Sequence, residues 1–172
     1  MPASPLLWGF ILFLLIFLFL PLFPRLTVRD CRSDALLLSL PLTKGEEFSI
    51  RYTHSVNLSP VTDTVLFDGQ EFILQRTLFT AYGWGMPVLA DGIGTSFENT
   101  PDGFLISGID RHQENIPILL QEVPDHHVLY RSREISLLAL SGSGQFIRIA
   151  GENTGLFSIL AEAIRRSFTP GT

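Results

Sequence analysis

Along the chain, the hydrophobic pattern changes character twice. Leu6 to Phe23, LLWGFILFLLIFLFLPLF, holds 18 consecutive residues without a strongly polar side chain, and no charge falls between Met1 and Pro24. A helix over this run would measure about 27 Å at about 1.5 Å per residue, close to the hydrocarbon thickness of a bilayer. A helix apolar on every side can be buried only inside a large protein. The run therefore predicts a transmembrane helix. Its retention as a signal anchor is expected, because no clear small-residue cleavage pattern follows and MPASP carries no basic residue.

From Leu26 to Ala150 the pattern becomes short β-branched and aromatic runs separated by turn residues. The predicted strands are LTVRDC, ALLLSL, EFSIRYTH, VTDTVLF, EFILQRTLFTAY, FLISGI, IPILLQEV, HHVLYRS, EISLLAL and QFIRIA. Asp68-Gly69 predicts a tight two-residue hairpin between the fourth and fifth runs, because that pair tolerates the positive φ angles such a turn needs. Many short strands with regular turns indicate an all-β fold, a sandwich or a partly open barrel. From Gly155 to Phe168 the period changes again. Leu156, Leu160, Ile164 and Phe168 recur every four positions, with Arg165 and Arg166 in the last turn, which predicts a C-terminal amphipathic helix. Such a helix packs on the β domain or lies against a membrane or a membrane partner. The expected organisation is a signal anchor or transmembrane segment over 1–25, a β domain over 26–150, and the helix and tail over 151–172.

Composition refines this picture modestly. The 172 residues suit one domain, and the hydrophobic fraction of 46% is concentrated at the front. A formal net charge of -5 without a basic run implies no nucleic-acid partner. Cys31 is the only cysteine, so no intrachain disulfide can form. Arg25, Arg29 and Arg32 follow the apolar run, which by the positive-inside rule would keep the domain cytoplasmic.

Candidate chemistry concentrates in RYTHSVNLSPVTD, residues 51 to 63. A regular strand here places Phe48, Ile50, Tyr52, His54 and Val56 on one face and Ser49, Arg51, Thr53 and Ser55 on the other. His54 and Ser55 would then point apart, which weakens a serine hydrolase dyad. Asp63 could return across NLSP to orient His54, or His54 could be a core histidine held by a hydrogen bond. His54, His112, His126 and His127 lack the spacing of a zinc site, and the last two would point to opposite sheet faces. GWGMP, Gly83 to Pro87, has no phosphate-loop lysine and reads as a backbone turn, with Trp84 and Met86 as candidate ligand or partner contacts. No cofactor is implied.

FSIRYTHSV, SPVTDTV and LFTAYGWGMPV, in this order and spacing, resemble a bacterial family known as domain of unknown function 1850. Asp63 stands where that family would carry a glutamate. The resemblance implies no activity. It implies a small domain often encoded beside the fused membrane subunit of TAXI-type tripartite ATP-independent periplasmic (TRAP) transporters, and it favours an extracytoplasmic placement over the arginine count. The binding or structural motif expected from residues and resemblance together is Arg51, Tyr52, His54, Ser55, Asp63, Gly83, Trp84, Gly85, Met86 and Pro87. The expected role is a membrane-anchored accessory or interaction module, in contact with the transporter's membrane subunit or its solute-binding protein and without catalysis. The alternatives are a small-ligand-binding module around Tyr52, His54 and Trp84, and a hydrolase using His54 and Asp63.

Overall fold

The computed structural model describes residues 5–81 and 94–168. Helix α1 (Pro5–Phe19) opens the chain. The strands β1 (Phe23–Asp30), β2 (Leu36–Pro41), β3 (Glu47–Thr53), β4 (Pro60–Phe67) and β5 (Phe72–Phe79) follow. After them come β6 (Ser96–Thr100), β7 (Gly103–Gln113), β8 (Asn115–Leu119), β9 (His127–Tyr130) and β10 (Arg133–Ser136). A short helix α2 (Leu137–Ser141), β11 (Phe146–Thr154) and helix α3 (Leu156–Phe168) complete the described residues.

Alternation of apolar and polar positions drives these strands into two antiparallel sheets, ordered β2-β1-β11-β8 and β10-β9-β3-β4-β5-β7-β6. Each order ends on two different strands, so both sheets are open among the described residues. Their apolar faces meet in one core. Leu26, Val28, Leu38, Ile147 and Ile149 of the smaller sheet pack with Phe48, Ile50, Val65, Phe72 and Val128 of the larger. Gly151 is needed here, because a Cβ on it would come within 2.7 Å of the Phe67 ring. The all-β expectation therefore resolves as two packed sheets rather than a closed barrel.

Several elements differ from the sequence reading. The apolar run is not one helix: α1 has 15 residues, about 22 Å at about 1.5 Å per residue, and stops before Pro21. Phe23 already pairs with Thr154 in the smaller sheet. Among the described residues no helix is long and apolar enough to cross a membrane. EISLLAL changes to a helix after three strand residues, because the Ser136 hydroxyl accepts from the Ala139 amide and caps α2. The β4–β5 hairpin forms as expected but closes with four residues. Asp68 Oδ1 accepts from the amides of Gln70 and Glu71, at 2.8 and 2.9 Å, and that side-chain turn replaces the two-residue one.

Candidate functional site

Strand β3 is internal, flanked by β9 and β4, and its register decides which side chains meet. Ile50 lies opposite both Val128 and Asp63, Asp63 opposite Thr77, and Thr77 opposite Ile106. Directly opposed residues share a face. Asp63 is thus a carboxylate in a row of inward-facing side chains, and Tyr52, two residues beyond Ile50, faces the same way.

Each polar group in this row has a defined surrounding. Thr77 Oγ1 donates to Asp63 Oδ1 at 2.7 Å. Burial pushes the Asp63 carboxyl above its usual range, opposed by that hydrogen bond and by the Arg111 charge. Tyr52 is pushed up to about 12, first by burial and then by the Asp63 charge, so its phenol stays neutral. The His126 ring stacks on Tyr52 with centroids 5.3 Å apart and planes 28° from parallel. Burial pushes His126 below its ordinary value. Beside this row, Val61, Phe79 and Ile106 form a small apolar cluster of their own.

His54 is not part of the strand face. Strand β3 stops at Thr53, and residues 54 to 59 turn the chain into β4. The His54 amide donates to Ser59 O at 2.8 Å, and its carbonyl accepts from the Leu58 amide at 2.8 Å. Leu58 adopts φ 48°, a left-handed conformation that closes the turn. The expected alternation through Val56 therefore fails: Val56 is exposed, and so is Ser55. His54 Nδ1 accepts from the Asn57 amide at 3.3 Å, while the Asp63 carboxylate is bonded to Thr77. Among the described residues no hydrogen bond joins His54 to Asp63 or Ser55, so neither a histidine–carboxylate pair nor a serine dyad is assembled.

Arg51 projects from the opposite face and pairs with Glu134, whose Oε1 also lies 2.9 Å from His127 Nδ1. His112 is bonded at the surface to Glu71. The four histidines have four separate surroundings. Among the described residues no three His, Cys, Asp or Glu side chains gather where they could hold a metal ion. Gly83, Trp84, Gly85, Met86 and Pro87 lie outside the described residues.

Two participants were missed by the sequence reading. Thr77 is a strand threonine with no local mark of its role. His126 meets Tyr52 because Arg51 pairs with His127 and the Thr53 amide donates to Pro124 O at 2.7 Å, which ties the two chain segments together. Four buried polar atoms have no hydrogen bond of good geometry among the described residues: Asn57 Nδ2, Ser59 Oγ, His126 Nδ1 and His127 Nδ1, the last of which still lies 2.9 Å from Glu134 Oε1 as an ion-pair neighbour.

Residues 48–137 match the family model described as Domain of unknown function (DUF1850), and the chain belongs to that family. The match spans β3 through the first residue of α2, and so includes Tyr52, His54, Asp63, Thr77 and His126. No curated protein and no solved structure matches the chain.

Proposed function

We propose that this member of the family is a membrane-held, extracytoplasmic accessory or interaction module of a TAXI-type TRAP transporter, without chemistry of its own. The observation that carries the membrane part is the surface of α1. Phe10, Ile11, Leu12 and Phe13 step round the helix axis by about 100° each, and all four side chains are exposed. A helix apolar and exposed on all sides is a helix for lipid. Residues Leu20 to Phe23 continue the uncharged stretch straight into β1, so the domain sits directly against whatever surface holds α1.

An interaction role is supported over catalysis by how the polar groups are engaged. A hydrolase using His54 and Asp63 needs the two side chains to meet, and their hydrogen bonds run to Asn57 and Thr77 instead. The neutral Tyr52 phenol and the burial of His126 suit a packed polar row better than a proton relay. The transporter assignment rests on the genomic neighbourhood that family resemblance implies, a weaker warrant than a site.

Fractionation and affinity capture of the full chain test both parts. The chain is expected to remain with membranes after alkaline carbonate washing, and to retain a co-expressed transporter membrane subunit or solute-binding protein on affinity resin. A phosphatase reporter fused after β11 is expected to be active. Release by carbonate defeats the membrane assignment, an inactive phosphatase the extracytoplasmic one, and failure to retain either transporter component the partner assignment.

A further inference from the structure

Helix α3 lies across the outer face of the smaller sheet with its polar side inward. That sheet face carries Arg25, Thr27, Arg29, Ser39 and Glu152 rather than an apolar patch. Arg25 Nε donates to Ser39 Oγ at 2.8 Å, and Arg29 Nε to Glu152 Oε2 at 2.9 Å. From the helix, Glu162 reaches Arg25 at 3.5 Å. Two clefts between helix and sheet are both lined by Ser158 and Glu162 on one side and Arg29 and Leu36 on the other; one adds Thr27, Ser39 and Glu152, and the other adds Phe157 and Ala161 facing Leu37 and Leu38. The apolar side is turned largely outward: Leu160 is 49% exposed, and Phe157, at the edge of that side, is 48% exposed. A helix packed on a water-soluble core has the reverse orientation.

The outward apolar face is continuous with α1. The Phe157 ring packs on Phe19 with centroids 5.0 Å apart. Gly155 permits the approach, since a Cβ there would lie 2.9 Å from Phe19 O and 3.1 Å from Leu18 O. One protein contact covers one side of a helix, and α1 is apolar on every side, so the occupant that covers both helices at once is lipid. Near its end the sequence of the helix carries two arginines, Arg165 and Arg166, a composition suited to a surface of anionic lipid.

We infer that α3 is an interfacial helix, lying in the head-group layer with Phe157 and Leu160 in the acyl boundary. Its polar side is keyed to the smaller sheet by Arg25 and Glu162. The domain is thereby seated with the four-stranded sheet toward the bilayer and the outer face of the seven-stranded sheet toward the aqueous compartment. This inference rests on the membrane assignment proposed for α1, and one experiment distinguishes failure of either.

The full chain, with Cys31→Ser, is reconstituted into vesicles of mixed zwitterionic and anionic phospholipid. Single cysteines at Leu12, Leu160 or Arg76 carry an environment-sensitive fluorophore, and quenching by nitroxide-bearing lipid is compared with quenching by aqueous iodide. Labels at 12 and 160 are expected to be quenched severalfold more by the lipid nitroxide, and the label at 76, on the outer face of the larger sheet, more by iodide. Iodide quenching at 160 with lipid quenching at 12 overturns the interfacial helix and leaves the anchor standing. Shielding of 160 from both quenchers overturns it in favour of a protein partner or a second copy. Iodide quenching at 12 defeats the anchor assignment itself.

Discussion

The inner face of the seven-stranded sheet is built by one alternation along its strands, yet its two regions hold different chemistry. In one, Phe72 packs edge-on against Phe48 and Phe67, with centroids at 5.1 and 5.9 Å, over the side chains of the smaller sheet. In the other, Val61, Phe79 and Ile106 form a separate cluster bordered by Asp63, Thr77, Tyr52 and His126. Alternation decides which side chains point inward. Whether the inward space is apolar depends on what the partner strands bring to it, and a polar group is retained where a hydrogen bond replaces the water it loses.

The largest effect should separate the two regions at a common residue type. Phe72 and Phe79 are both fully buried. Phe72→Ala is expected to cost about 4–5 kcal/mol, and Phe79→Ala, in the smaller cluster, about 3 kcal/mol, the low end of the range for a buried phenylalanine. Denaturant unfolding of the detergent-purified chain measures both, and equal costs would erase the distinction. A smaller loss, about 1–3 kcal/mol, is expected for Thr77→Val, which strands the Asp63 carboxylate without its donor. A neutral result would show that the carboxylate is satisfied by solvent.

Asp63→Asn sharpens the comparison through pH. The native carboxyl is raised above 3.8, so the folded state holds its proton to higher pH than the unfolded chain does. The stability this provides is complete below about 3.8 and is lost as pH rises through the native value. Asparagine abolishes the dependence. The variant's melting temperature should match the parent's in acid and exceed it increasingly toward neutral pH, and a variant that melts lower than the parent at neutral pH would refute the burial account. His54→Ala should give the smallest change, about 0.5 kcal/mol, because its one long hydrogen bond to the Asn57 amide lies in a partly exposed turn. Membrane retention should be unchanged, and a loss above about 2 kcal/mol would place His54 in the core after all.

Much of the fold was legible in residue order. Phe48, Ile50 and Tyr52 face inward as period-two alternation requires, and Arg51 faces outward. Carrying that alternation on to Val56 failed because the Leu58 conformation and the hydrogen bonds between His54 and Ser59 turn the chain directly after Thr53, ahead of the turn residues NLSP. β6, SFENT, was not anticipated. It has one aromatic residue and pairs along β7 through backbone hydrogen bonds that hydrophobic patterning does not report. The candidate site was legible only in its halves: Tyr52 and Asp63 were recognised, whereas their partners His126 and Thr77 were not.

By itself the sequence determined the uncharged apolar run, ten of the strand segments and the amphipathic period of α3, because periodicity is a property of neighbours along the chain. Tertiary structure alone decided that Asp63 meets Thr77, that His126 stacks on Tyr52, and that α3 turns its polar side inward. Those outcomes depend on strand register and helix roll. Both are set by contacts between distant residues, as when the Thr27 hydroxyl donates to Ala150 O across 123 positions, and no local pattern encodes them.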